Sequence, residues 1–146
     1  MDGEDICLVI QKPPPFISRV VVRTSVVAAV MLSRLPPVAI VYILEKIRRG
    51  ARVASFAEAL RAHQDVVRVS IFASRSDSCL PRSLAIILVS RARGFMPRWC
   101  VGIRQELPRT AHAWIEADGD VVGENIDFET MTLLFSVDDN PSKQVM

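Results

Sequence analysis

The stretch SDSCLPRSLAIILVSRARG, residues 76–94, decides how the rest of the chain is read. A polar turn leads into Cys79, and an apolar run follows as far as Gly94. Pro81 fits the opening turn of a helix, where its missing N–H costs nothing. Asp77 or Ser78 is the expected cap. The run predicts a helix over Leu80–Arg93, stopped by a glycine. A thiol at a helix N-terminus is a candidate nucleophile, because that position favours the thiolate. The unpaired N–H groups of the first turn also face an oxyanion formed beside the sulfur.

Upstream of this helix the pattern is helical. ICLVI in residues 6–10 could start the chain with a short strand, ended by Pro13-Pro14-Pro15. Residues 17–34 are apolar nearly all round, so this helix is expected to be covered on most faces. Pro36-Pro37 suits the first turn of a second helix, running to Arg49 and stopped by Gly50. Ser55 with Glu58 three residues on reads as a capping box. It opens a third helix, Phe56 to about Phe72, and residues 73–78 form a loop.

Downstream the period changes. RWCVGIRQE and TAHAWIEA have strand character, VVGEN follows a turn at Asp118-Gly119, and MTLLFSV makes a last strand. Helices first and an antiparallel sheet after them predict an α+β fold. The expected organisation is a helical region over 1–70, a cysteine-bearing helix on a small antiparallel sheet over 71–140, and a flexible tail over 141–146.

The totals bound the function. A chain of 146 residues, half of them apolar, suits one domain with a real core. The 18 basic and 16 acidic groups leave a formal net charge of +2, which argues against a nucleic-acid binder. Cysteines 7, 79 and 100 are odd in number and lack CxxC spacing, so neither a disulfide framework nor a zinc site is expected. A reduced, cytoplasmic setting fits. The apolar stretch FISRVVVRTSVVAAVMLSRLPPVAIVYIL is interrupted by Arg19, Arg23, Arg34 and two prolines. Its longest uncharged run, Thr24 to Ser33, falls short of the roughly 20 residues of a spanning helix. Membrane contact is therefore not expected.

Cys7 lies in an apolar run and Cys100 in a strand beside Trp99, so both read as structural. Two histidines are available as a base. His63 sits mid-helix among solvated groups and reads as a surface residue. His112 sits in a strand whose alternation puts His112, Trp114 and Glu116 on one face. The small apolar face of Ala113, Ile115 and Ala117 should meet the helices, leaving the His-Trp-Glu face to border a cleft. A cysteine with a histidine distant in sequence is the minimal thiol-protease arrangement. Arg82, within a turn of Cys79, reads either as a substrate contact or as a solvated side chain. Trp99 and Trp114 read as core, Gly102 as a close approach or a bulge, and Arg91, Arg93 and Arg98 as a solvated end of helix and strand.

CLPRSLAIILVSRARG, RWCVGIR and AHAWIEADGDVVGE together resemble the lasso peptide leader peptidases, small transglutaminase-like cysteine proteases of ribosomal peptide maturation. The resemblance runs in order over about Leu35 to Val137 and includes the LPP, IRRGAR and TLLFSV stretches. It implies a papain/transglutaminase-like fold, with Cys79 as nucleophile, His112 as general base and an acidic residue after the hairpin turn orienting His112. That position is often Asp in the family and here is Glu124. The implied reaction is hydrolysis of the leader–core bond of a precursor peptide, without cofactor or metal. The implied partners are the precursor, a separate leader-recognition protein and the lasso cyclase that closes the ring. The chain shows no recognition module before its helices, so the stand-alone form is expected. A transglutaminase-like acyltransferase and a non-catalytic adaptor are the alternatives.

Hairpin geometry bears on the third residue. A three-residue loop Ala117-Asp118-Gly119 pairs Glu116 with Asp120 and puts Glu124 opposite His112, at a Cβ separation of about 4.5–5.5 Å. A two-residue loop at Asp118-Gly119 puts Asn125 there, and a loop at Gly119-Asp120 puts Asp127 there. Glu124 is the choice, with Asn125 and Asp127 in reserve. Asp118 reads as a turn former.

Overall fold

The computed structural model of the chain describes residues 16–70, 78–125 and 127–138. The expected N-terminal strand, Cys7, most of the 73–78 loop and the 141–146 tail lie outside them.

Four helices precede the main sheet: α1 (Phe16–Leu32), α2 (Pro37–Arg48), α3 (Phe56–Val69) and α4 (Cys79–Ala92). Each boundary has a local cause. Pro37 starts α2 in the first turn, where proline is harmless. Gly50 and Gly94, at φ 79° and 93°, reverse the chain after α2 and α4. Ser55 and Glu58 form a reciprocal capping box at the start of α3. This helix ends earlier than expected, at Val69, because Ser70 turns extended.

The main sheet is antiparallel throughout: β3 (Arg98–Arg104), β4 (Ala111–Ala117), β5 (Asp120–Val121) and β6 (Met131–Val137) lie in the order β5-β4-β3-β6. The fold is therefore α+β, as the element order predicts. A second, two-stranded sheet was not expected. In it β1 (Arg52–Val53) pairs in parallel with β2 (Phe95–Met96) and ties the entry to α3 to the exit from α4.

The apolar run of α4 has a simple explanation. Ser83 through Ile87, Val89 and Ser90 are all buried, so α4 is covered on nearly every side. It packs against α1, α3 and β4. Within it the Ser83 hydroxyl accepts from Trp99 Nε1 at 3.1 Å, so the indole of a fully buried tryptophan keeps its hydrogen bond. The same core takes in Val22, Ala29, Ile40 and Leu44 from the first two helices and Ile115 and Val137 from the sheet.

The apolar first helix is not covered all round. Val20, Val27 and Met31 of α1 and Val38 and Tyr42 of α2 are exposed, although Val22, Ala29, Ile40 and Leu44 face the core. Hydropathy alone does not separate these faces, since valine occupies both. Among the described residues, no helix is long and apolar enough to cross a membrane.

The basic residues expected at a solvated end are instead held. Arg91 Nε donates to the Ile47 carbonyl at 2.6 Å. Arg93 pairs with Asp65 at 2.6 Å and reaches Ser18 Oγ, joining α4 to α3 and α1. Arg98 pairs with Glu116 at 2.8 Å. Replacing Asp65, which is buried, leaves the Arg93 guanidinium short of its anion. Asp65→Ala is expected to cost about 2 kcal/mol, the scale of a hydrogen bond to a charged group. A urea midpoint equal to that of the parent chain would refute this.

Candidate active site

Cys79 is the first residue of α4, and Ser78 occupies the N-cap position with no cap bond from its side chain. The first intrahelical bond runs from Arg82 N–H to the Ser78 carbonyl. Cys79 and Leu80 therefore carry N–H groups that the helix itself does not use, and Pro81 has none. The thiol is half-buried.

Strand β4 brings His112 to the sulfur, and the adjacent Ala113 N–H also donates to it. The other face of β4 explains the placement. Ala113, Ile115 and Ala117 are buried, and their small or compact side chains let β4 lie against α4. Opposite His112 stands Gly102 of β3. A Cβ there would lie 2.8 Å from the Thr132 carbonyl oxygen and 2.9 Å from the Trp114 ring. The missing side chain, at a bulge in the β3–β6 pairing, makes room for Trp114.

Trp114 is thus buried, 3% exposed, in keeping with its reading as core, and does not border the cleft that the strand alternation assigns to its face. It stacks on His112 with ring centroids 6.2 Å apart. Its Nε1 donates to Glu116 at 2.9 Å, and Glu116 in turn holds Arg98. Of the His-Trp-Glu face, Glu116 lines a separate pocket beside Arg98, and His112 lines a groove next to Glu124. That groove, of about 550 Å³, is bounded also by Arg82, Arg104, Glu124, Asn125, Asp127 and Thr130.

His112 Nε2 lies 2.6 Å from Glu124 Oε2. Its other ring nitrogen, Nδ1, is the one left for Cys79. Glu124 is reached by a route that differs from the three-residue loop. Ala117 pairs with Asp120 and Glu116 with Val121, so the loop has two residues, Asp118 and Gly119. Both have positive φ, 52° and 83°, the signature of a tight hairpin turn. Simple counting from this register would bring Asn125 opposite His112. The strand does not continue that far. After the Val122 N–H bonds the Ile115 carbonyl, Gly123 turns the chain at φ 75°. That turn delivers Glu124 sideways to His112. Asn125 and Asp127 line the groove instead, and Asp127 Oδ1 accepts from the Glu129 N–H. Asp118 is a turn former with a second task, accepting from the Phe56 N–H at the start of α3.

Two neighbours of Glu124 were not foreseen. Arg82 Nη2 pairs with Glu124 Oε1, so one carboxylate bridges Arg82 and His112. The sequence carries a signal for this: Cys79 and Arg82 are three residues apart on one helix and so share a face. His63 is not a surface residue. It is half-buried, and a Cβ added at Gly123 would collide with its ring.

The electrostatics follow from these contacts. The hydrogen bond to His112 leads in lowering the Cys79 thiol, with help from the Ala113 N–H and the charges of His112 and Arg82, against burial. The bonds to Cys79 and then to Glu124 raise His112 to about 9. Burial works against ionisation of Glu124, but His112 and Arg82 together hold its carboxyl below its ordinary range. Burial pushes the His63 imidazole down, as does the Arg82 charge. By contrast burial, with the Glu116 charge, drives the Cys100 thiol up, which suits an inert core cysteine. The arrangement favours a thiolate beside an imidazolium, with a carboxylate fixing the ring. Among the described residues, no three His, Cys, Asp or Glu side chains gather so as to hold a metal ion.

A model of the transglutaminase-like superfamily matches residues 22–136, most of the chain. The protein belongs to the transglutaminase-like superfamily. No curated protein and no solved structure matches it. A transglutaminase-like domain points to cysteine peptidase or acyltransferase chemistry. The thiol, imidazole and carboxylate described above all fall inside the matched segment.

Proposed function

We propose that this transglutaminase-like protein is a cysteine peptidase in which Cys79 is the nucleophile, His112 the general base and acid, and Glu124 the residue that orients His112. The observation that carries the reading is the hydrogen-bonded series from the Cys79 thiol through His112 to Glu124. The proposed substrate is a lasso precursor peptide, cut between leader and core. The CLPRS and AHAW motifs support that choice. A separate leader-recognition protein and the lasso cyclase are the proposed partners, in the cytoplasm.

The reaction uses thiol chemistry throughout. The Cys79 thiolate attacks the scissile carbonyl carbon, forming a C–S bond and an oxyanion. The N–H groups of Cys79 and Leu80 are positioned to stabilise that oxyanion. The imidazolium of His112 gives its proton to the leaving nitrogen, the C–N bond breaks, and the core peptide departs with a free amine. Neutral His112 then takes a proton from water. The hydroxide attacks the thioester carbon and the C–S bond breaks, so the Cys79 thiolate stands beside the His112 imidazolium again, and the leader leaves as a carboxylic acid that gives its proton to solvent.

The test is incubation of the protein with a precursor peptide and its recognition partner, read by mass. Two products whose masses sum to precursor plus one water support the proposal. Transfer of the leader acyl group to an added amine in preference to water would instead favour the acyltransferase reading. Cleavage is expected to be slow for this chain alone and faster with the recognition protein, which tethers the leader and raises its local concentration. Equal rates with and without that protein would place leader recognition in this chain.

A further inference from the structure

We infer that Arg82 is a positioning residue of the active site, which grips Glu124 from behind so that the carboxylate's other oxygen is aimed at His112. The inference rests on the proposed reading of Cys79 and His112. It adds a member that this reading does not contain.

The geometry is a closed circuit. Cys79 and Arg82 stand on the same face of α4, one turn apart. His112 comes from β4 and Glu124 from the turn after β5. The contacts run from Cys79 to His112, from His112 Nε2 to Glu124 Oε2, and from Glu124 Oε1 back to Arg82 on the helix where the circuit began. Helix α4 thus fixes both the nucleophile and the far end of the group that orients its base. The Arg82 and Glu124 side chains are only 13% and 18% exposed, so solvent screens the pair weakly.

Such an anchor is needed here. Glu124 does not sit in a paired strand, since β5 ends at Val121. Backbone pairing therefore does not hold it opposite His112. Two contacts replace that pairing. The ring of His63 on α3 closes against Gly123, and Arg82 takes one carboxylate oxygen. The charged and titratable groups around Glu124 are His63 from α3, Arg82 from α4 and His112 from β4, with Arg104 and Asp127 across the groove.

A carboxylate has two acceptor oxygens, which is what the bridge requires; a glutamine has one. Arg82 has only donors, so in Glu124→Gln it claims the amide oxygen and turns the NH₂ toward His112. Loss of Arg82 and loss of the carboxylate therefore damage the same contact and should not add.

The test compares Arg82→Gln, Arg82→Lys, Glu124→Gln and the double variant Arg82→Gln/Glu124→Gln, with Arg61→Ala on exposed α3 surface as the control. Arg82→Gln is expected to lower kcat about 10- to 100-fold with little change in KM, the scale of a misaligned catalytic group. Arg82→Lys should recover part of that loss, since the charge remains but the fork does not. In the Glu124→Gln background, removing Arg82 should cost little more. A full additional loss there, or a loss confined to KM, would overturn the inference and make Arg82 a substrate contact. So would wild-type kcat in Arg82→Gln.

A second measurement needs no peptide. The rate at which a haloacetamide alkylates Cys79, read by mass at the Cys79 peptide, reports the thiolate–imidazolium pair directly. Arg82→Gln should slow it severalfold at neutral pH, and Arg61→Ala should not. If the precursor proves to be no substrate, the proposed function fails, and this alkylation still decides the role of Arg82. An unchanged rate in Arg82→Gln and Arg82→Lys alike would overturn it.

Discussion

Replacing Cys79 with alanine is expected to reduce leader cleavage to the level of the uncatalysed control. No other described thiol can take over, because Cys100 is buried in β3 and its thiol is pushed up. Removing a nucleophile from a catalytic unit costs about as much as removing the whole unit, on the order of 10⁶-fold in a well-evolved protease. His112→Ala should approach the same loss. It takes away the hydrogen bond that leads in lowering the thiol and the proton donor for the leaving amine. Neither change should unfold the chain, since both side chains are only partly buried. Cys100→Ser should retain most activity at some cost in stability. A Cys79→Ala protein that cleaves at the parent rate would end the proposal, and a melting curve shifted far below the parent's would show that Cys79 is structural.

The parts of this site that were legible in the sequence are those with a local cause. A capping box needs two residues at fixed spacing, and Ser55 and Glu58 supply them. The start of α4 is written in Cys79, Pro81 and the apolar run after it, and its end in Gly94. The alternation in residues 111–117 separates the buried alanine–isoleucine face from His112. What was not legible depends on space that other segments fill. Trp114 reads as core, but the hollow that admits it is left by Gly102 on the neighbouring strand, which nothing within residues 111–117 shows. His63 looks solvated among the polar residues of α3 until Gly123 closes over it. Two-residue strands such as β1 and β2 carry no periodic signal at all. The exposed valines of α1 are the opposite case, apolar positions that the described part of the fold does not cover.

The hairpin shows why the right contact can follow from the wrong register. Asp118-Gly119 suits both a two-residue and a three-residue loop, because each needs positive φ near the glycine. Counting along a regular strand then forces a choice between Glu124 and Asn125. The real chain leaves the ladder after Val121, and Gly123 permits a turn that strand counting does not include. The side-chain chemistry makes the choice instead. A carboxylate can satisfy Arg82 and His112 together, and the half-buried setting favours the group that satisfies both.

Glu124→Gln is accordingly expected to slow cleavage by up to about 10,000-fold, the loss seen when the orienting carboxylate of a triad becomes an amide. With its one oxygen held by Arg82, the amide presents NH₂ to His112 Nε2. Nε2 must then accept, which moves the ring proton to Nδ1, the nitrogen facing the sulfur. That tautomer cannot take the proton of the thiol. The pH profile gives a second signature. In the proposed mechanism the active form has a thiolate and an imidazolium. Activity should therefore rise as pH climbs through the lowered thiol range, then fall as His112 loses its proton through about 9. The Glu124 hydrogen bond and charge both raise His112. Without them the imidazolium gives up its proton at lower pH, so the alkaline limb should move toward neutrality in Glu124→Gln. Asp118→Asn keeps an oxygen for the Phe56 N–H and lies outside the Cys79–His112 contact, so its profile should match the parent's. A Glu124→Gln protein with full rate and an unmoved alkaline limb would remove Glu124 from the active site. Asn125 and Asp127, which line the same groove, would then be the residues to replace next.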